Sequence, residues 1–207
     1  MDRKGGFPVG LQTTLPTLQP SEDGVRQHYR SHSNSATSAD AAVAMTPLPA
    51  QGVGEPFMSV PTPPGWTAIH DHNSTLVRAA LVNVGLRALD FTPTAVITLA
   101  DVSEDSRTAH AALATEHAGV EAQPEVSDVA SLDGTLCGYA SRTLTYRYEG
   151  RNATTLIVAG TDWSARTWVC TLGIQTAVPE DARFVRDRAI ILENFQFLVL
   201  QGGGMPA

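Results

Sequence analysis

Aromatic and arginine side chains are the residues of this sequence whose types and spacing suggest a binding surface. They recur between residues 139 and 168, where the chain alternates in the manner of β-strands. Because side chains on a strand point alternately to opposite faces, some of these rings must face away from any covering helix. We expect them to line a groove for a sugar-headed lipid or a protein partner: Tyr139, Arg142, Trp163 and Trp168. Packing of the same rings in the core is the alternative.

The register of the strands decides which of these rings share a face. If Tyr139 lies opposite Thr161, and Thr161 lies opposite Trp168, the two rings are on one face of the sheet. A shift of one residue moves every side chain of a strand to the other face. The sequence alone leaves both arrangements open.

The two cysteines, Cys137 and Cys170, are too few for a four-cysteine zinc site. Their predicted positions on the first and third of the three long strands place them about 16 Å apart, given four residues at about 3.3 Å each and two strand spacings of about 4.8 Å. A disulfide requires Cα atoms within about 7 Å of each other. We therefore expect two free thiols.

Histidines offer the remaining possibility of a metal site. His70 and His72 lie on one side of an extended segment, and His110 and His117 are seven residues apart on one side of a predicted helix. The simpler interpretation is a polar loop and a solvated helix face. No His-Glu-x-x-His spacing is present in the sequence, and we expect no metal and no cofactor.

The motifs of the common hydrolases and nucleotide-binding proteins are missing from the sequence. There is no Gly-x-Ser-x-Gly elbow and no glycine-rich phosphate loop before a helix. The acidic pairs Glu104-Asp105 and Glu180-Asp181 stand at predicted helix starts, where the helix dipole favours carboxylates. These observations favour a protein that is not an enzyme.

Charge and hydropathy exclude further classes of partner. The formal net charge is −7, which repels nucleic-acid backbones and anionic membrane surfaces. No segment reaches the roughly eighteen apolar residues of a membrane span, and neither a secretory signal nor a lipid-anchored cysteine stands near the start. We expect a cytoplasmic protein, with secretion or envelope association by a route without a signal as the alternative.

Composition divides the chain into three parts. Residues 1–54 are rich in Pro, Ser, Thr and Ala and predict a disordered tail, although a short helix from about Asp40 to Met45 is conceivable. Residues 55–200 have the apolar patterning of a folded domain. Residues 201–207 predict a flexible C-terminal tail that contains three consecutive glycines.

Within the domain, strands and helices alternate in a way that predicts an α+β fold. Helices are predicted over residues 105–118 and from Pro179 to Asn194, and a polar loop follows the first helix. The predicted strands are an edge hairpin at 57–60 and 66–69, then 76–84, 94–102, 136–148, 153–162, 166–177 and 195–200. Short turns between the long strands indicate an antiparallel sheet with helices packed on it.

Three segments occur in an order that resembles the LpqN/LpqT lipoprotein-like family of mycobacteria and their relatives. They are the run from Pro56 to Trp66, the run from Phe91 to Ile97, and the late segment Glu193–Phe197. The resemblance covers residues 54–200. It implies a PsbP-like α/β/α sandwich used for binding partners, and a link to the cell envelope and to trehalose-containing lipids. It brings no catalytic residues with it.

Three functions follow from these features. The leading hypothesis is a non-enzymatic binding module for an amphipathic ligand, such as a trehalose-type glycolipid, or for a protein partner linked to the cell envelope. The second is a protein–protein adaptor that uses the N-terminal tail, and the third is a hydrolase or metal-dependent enzyme. The identity of the partner and the oligomeric state stay open.

Overall fold

Ten strands and two helices make up the region that the computed structural model describes, residues 43–69 and 74–199. The helices are α1 (Ala109–Glu121) and α2 (Ala182–Glu193). The strands are β1 (Ala44–Leu48), β2 (Phe57–Thr62), β3 (Thr67–Ile69), β4 (Val77–Val82), β5 (Thr94–Asp101), β6 (Val126–Leu136), β7 (Tyr139–Tyr148), β8 (Arg151–Thr161), β9 (Thr167–Thr176) and β10 (Gln196–Leu198).

The strands form two sheets in which every pair is antiparallel. Seven strands form the large sheet in the order β3-β4-β5-β9-β8-β7-β6, and three form a small sheet in the order β1-β2-β10. The two-residue turn Glu149-Gly150 joins β7 to β8 with positive φ at both positions, which fits the right-handed twist of a hairpin. The predicted α+β class with an antiparallel sheet is confirmed.

The large sheet is covered on both faces. One face packs with α2 and the small sheet around the main core, which includes Leu172, Phe184, Ile191 and Phe197. The other face packs with α1 in a smaller cluster around Leu144. The domain therefore has a helix on each side of its central sheet. No helix in the described part of the chain is long and apolar enough to cross a membrane.

Both helices begin at capping side chains. Asp181 accepts hydrogen bonds from the backbone N–H groups of Arg183 and Phe184, at 2.9 and 3.0 Å, as its position after a proline and a glutamate predicted. Helix α1 begins later than predicted because Thr108 supplies the cap. It also continues through Gly119 to Glu121, so this glycine does not end it.

Strand β1 lies inside the segment that composition assigned to a disordered tail. It pairs with β2 along its whole length, and its Leu48 is buried in the core. The ordered region therefore begins before Glu55, and the residues from Ala44 to Met45 are strand where a helix was conceivable. The other residues of the predicted N-terminal tail up to 42, and the predicted tail 201–207, lie outside the described residues.

Two further assignments differ from the structure. The predicted hairpin does not form, because β2 belongs to the small sheet and β3 to the large one. The turn at Pro63–Gly65 instead carries the chain from one sheet to the other. Strand β6 replaces most of the predicted polar loop. It is an edge strand with both faces largely exposed, so its sequence shows no apolar alternation.

Candidate functional site

Tyr139 and Trp168 lie on the same face of the large sheet, as one of the two registers predicted. Strand β8 separates them, with Gly160 directly opposite Trp168. A Cβ atom on Gly160 would lie 2.8 Å from a ring carbon of Tyr139, which shows that the tyrosine ring covers this glycine. The residue between the two rings is therefore Gly160, and not Thr161 as the sequence suggested.

Both rings are used within the fold. The backbone N–H of Val199 donates to Tyr139 Oη at 3.1 Å, and the Tyr139 ring meets Phe197 edge-on at a centroid distance of 5.4 Å. Trp168 is 5% exposed, and its Nε1–H donates to Asp162 Oδ2 at 3.3 Å. The contacts of Tyr139 hold β10 against the large sheet, and the hydrogen bond of Trp168 holds the turn after β8.

Arg142 lies on the opposite face, beneath α1. Its Nε donates to Asp133 Oδ1 at 2.6 Å and its Nη2 donates to Asp133 Oδ2 at 3.1 Å. Its Nη1 lies 3.1 Å from His117 Nδ1. The hydrogen bond with Arg142 lowers the pKa of Asp133, and the same bond raises the pKa of Arg142. Arg142 therefore joins β6, β7 and α1.

Of the two helical histidines, His117 lies between an arginine and a glutamate. His117 faces the Arg142 guanidinium and lies 3.3 Å from Glu121 Oε1. Within residues 43–69 and 74–199, no group of three or more His, Cys, Asp or Glu side chains could hold a metal ion. The predicted pair His70 and His72 lies outside the described residues.

Both cysteines are free thiols. Cys137 is exposed in the turn between β6 and β7, whereas Cys170 is buried in the main core. Burial raises the pKa of Cys170, which keeps it protonated and unreactive. The thiol of Cys137 lies 3.8 Å from the carbonyl oxygen of Phe195.

Trp163 is the one predicted site residue that is largely exposed, at 71%. It lies in the turn between β8 and β9, which Asp162 organises. Asp162 Oδ1 accepts from the backbone N–H groups of Ser164 and Arg166 at 2.8 and 2.9 Å. Burial alone would raise the pKa of Asp162, but hydrogen bonds from Ser164, Arg166 and Trp168 outweigh it and hold the pKa at about 2.

The four predicted residues are therefore not brought together as one set, and an open groove lies elsewhere in the described part of the chain. It has a volume of about 460 Å³ and runs between the start of α2 and strands β6, β7 and β8. On its floor, Thr145 pairs with Thr154 and Arg147 pairs with Asn152 across neighbouring strands. Its α2 wall consists of Pro179, Glu180, Val185 and Arg188.

Hydrogen-bonding and charged groups dominate this groove. Its uncharged polar groups are the hydroxyls of Thr145 and Thr154 and the carboxamide of Asn152. Its charged residues are Arg147, Arg188, Asp128 and Glu180. Asp128 occupies an irregular position of β6 with a φ of +56°. Such bulges re-aim side chains next to binding sites. The groove can therefore donate to and accept from a ligand that carries many hydroxyl groups.

Sequence reasoning missed this groove for a physical reason. The alternation of β7 places Thr145 and Arg147 on one face, opposite to the face of Leu144 and Tyr146, and this signal was available. The sequence does not show how many strands of the large sheet α2 covers. Helix α2 leaves the outer strands β6 and β7 open, and the groove arises at its flank.

The comparisons with known proteins match the folded region of the chain. The family model described as "Probable lipoprotein LpqN" matches residues 38–197. The crystal structure of LpqN, involved in cell envelope biogenesis of Mycobacterium tuberculosis, is 17% identical with a TM-score of 0.60, and the match covers 77% of this chain and 93% of that one. The solution structure of PsbP from Synechocystis sp. PCC 6803 is 12% identical with a TM-score of 0.48, over 78% and 97% of the two chains. A search of curated proteins gave no match.

The expected cytoplasmic location was wrong. It rested on the residues near the start of the chain, whereas the family match begins at residue 38 and rests on the folded region. The family is described as one of probable lipoproteins, which conflicts with a cytoplasmic location. With more than half of its length matched in this way, the chain belongs to the LpqN family of probable lipoproteins.

Proposed function

We propose that this chain is a non-enzymatic binding module of the cell envelope, which holds the polar headgroup of an amphipathic ligand of the trehalose-glycolipid type. The observation that carries the proposal is the groove beside α2, with its hydroxyl, carboxamide and charged lining. Its volume of about 460 Å³ falls in the range of small-molecule sites, about 300–1,000 Å³.

The chemistry of the lining suits a sugar headgroup. A sugar hydroxyl both donates and accepts a hydrogen bond, and so do the hydroxyls of Thr145 and Thr154 and the carboxamide of Asn152. Arg147 lies directly opposite Asn152 in the sheet and supplies further donors, while Glu180 accepts. Hydrogen bonds to charged groups are the stronger ones, and both signs of charge are present, so the groove favours a neutral polyol over an anion.

The lining also favours binding over turnover. No cysteine, histidine or serine is among the groove residues in the described part of the chain, so the Ser–His and Cys–His pairs of the common hydrolases are missing there. The relative from Mycobacterium tuberculosis, involved in cell envelope biogenesis, supports a role at the same place.

Titration calorimetry with trehalose and with a trehalose fatty-acid monoester tests this proposal. We expect Thr145→Val and Thr154→Val each to weaken binding about threefold to tenfold, the value of one hydrogen bond of about 0.5–1.5 kcal/mol. Thr135→Val is the matched control, because Thr135 lies on β6 outside the groove. Absence of binding by the full chain, or an equal loss in Thr135→Val, would contradict the proposal.

A protein partner is the second candidate, and strand β6 favours it. This strand of 11 residues is the edge of the large sheet, and its Leu132 is exposed. Edge strands accept an added strand from a partner through backbone hydrogen bonds. Capture from envelope extracts by the full chain, compared with a Ser131→Pro variant, tests this candidate. Ser131 lies opposite Leu144 in a pair that exchanges no ladder bonds, so its N–H points outward and proline removes that donor from the edge. Equal recovery of partners by both chains would count against it.

A further inference from the structure

The loop of residues 49–56, between β1 and β2, has its charged groups inside and an apolar side chain outside. Arg78 and Glu55 form an ion pair at 2.8 Å with side chains only 5% and 9% exposed, whereas Val53 is 97% exposed. Soluble proteins usually arrange these residue types in the opposite way. The buried charges are paired with each other, so the notable feature is the fully exposed valine at the surface of the loop.

A second arginine, Arg166, binds the backbone of the same loop. Arg166 donates from Nη1 to the carbonyl oxygen of Val53 at 3.2 Å and from Nη2 to that of Gly54 at 3.3 Å. Arg166 also donates from Nε to Asp162 at 2.9 Å. Val53 therefore lies in a loop that is held by Arg78 of β4 and by Arg166 of the turn after β8.

Other exposed apolar residues lie at this end of the domain. Trp163 belongs to the same turn as Arg166, which contacts the loop. Phe57 follows the loop at the start of β2, and it pairs directly with Leu198 of β10, both about half exposed. We call this surface the apolar tip: Val53, Phe57, Trp163 and Leu198.

We propose that the apolar tip docks on the surface of a lipid bilayer, with Val53 and Trp163 entering the region of the headgroups. Tryptophan favours that region because its ring is apolar and its N–H can stay hydrated. The strands that adjoin the tip, β1, β2 and β10, contain no charged residue. The family of this chain is described as one of probable lipoproteins, and a lipid anchor holds a protein at a bilayer surface.

The size and charge of the tip favour a bilayer over a second copy of the chain. The four side chains expose on the order of 500 Å², less than the roughly 800 Å² that each partner of a stable dimer buries. The net charge of −7 repels anionic lipids, so the attraction must come from apolar insertion. Binding should therefore occur on neutral vesicles and depend little on salt.

The tip is separate from the groove of the proposed function. The groove meets β8 at Asn152, whereas the tip adjoins its other end at Thr161, about 30 Å away along the strand. A domain docked by the tip would keep the groove open to the aqueous side. The two proposals can therefore fail independently.

Vesicle flotation with the full chain and phosphatidylcholine liposomes tests the docking. Trp163 also reports it directly, because Trp66 and Trp168 are buried: its emission should shift to the blue and be quenched by brominated lipids. We expect the Val53→Ser, Trp163→Ser double variant to lose partitioning by about tenfold or more, given the apolar area removed. The effect should persist in high salt.

Val84→Ser is the matched control, because Val84 is also exposed, at 70%, in the short 3₁₀ helix after β4 and away from the tip. It should partition as the unchanged chain does. No flotation of the unchanged chain, or equal losses in the control and the double variant, would overturn the proposal. A dimer in gel filtration that only the double variant loses would also overturn it, because a second copy would then cover the tip.

Discussion

Replacement of Trp66 by alanine should remove most of the stability of the domain. The Trp66 side chain is 5% exposed in the main core, and its Nε1–H donates at 3.1 Å to Oδ2 of Asp187, a fully buried carboxylate of α2. Truncation of a buried tryptophan costs about 3–5 kcal/mol. Loss of a donor to a buried acceptor adds about 1–3 kcal/mol, against the roughly 5–15 kcal/mol that stabilises a typical domain.

Urea unfolding followed by far-ultraviolet circular dichroism measures this loss. With a slope of about 2 kcal/mol per molar urea, the midpoint of Trp66→Ala should fall by about 2 M or more. Trp66→Phe separates the two contributions, because it keeps most of the ring and removes the donor; its cost should be about 1–3 kcal/mol. Trp163→Ala is the control, since Trp163 is 71% exposed. If the two alanine variants shifted the midpoint equally, the packing argument would be refuted.

Three further predictions concern the turns and the ends of the fold. Because the folded-state pKa of Asp162 is about 2, below its usual 3.8, its stabilisation should be present above pH about 4 and lost as pH falls towards 2; acid titrations of Asp162→Asn should lack this loss. Gly160→Ala should cost about 1–3 kcal/mol in thermal melts, because its Cβ would lie 2.7 Å from another side chain, whereas Gly119→Ala, with nothing within 4 Å, should be neutral or stabilising. A chain that begins at Glu55 should melt lower than one that begins at Val43, because it lacks β1; equal midpoints would show that β1 adds nothing.

Elements with strong local signals agree with their predictions. The acidic pair Glu180-Asp181 predicted the start of α2, and the short turn between the predicted strands 136–148 and 153–162 predicted the hairpin of β7 and β8. These signals are local, since a cap or a two-residue turn is determined by its own backbone. The predicted α+β class and the family resemblance both depend on these locally determined elements and on the order in which they follow one another.

Elements without such signals were missed. Strand β6 has little apolar periodicity because an edge strand exposed on both faces buries little. Strand β1 is short and contains a proline, and it exists as a strand because β2 lies beside it. Pairing partners that are distant in sequence therefore decided both of these strands.

The sequence by itself determined both helices, most of the long strands, the fold class and the family. Only the tertiary structure decided where each aromatic ring lies: Trp168 in the core, Tyr139 packed against the core, and Trp163 exposed to solvent. Side chains alternate along a strand, so a face depends on pairing and on what covers it, which are long-range contacts. The groove beside α2 and the apolar tip have the same origin, because each depends on the part of the sheet that other elements leave uncovered.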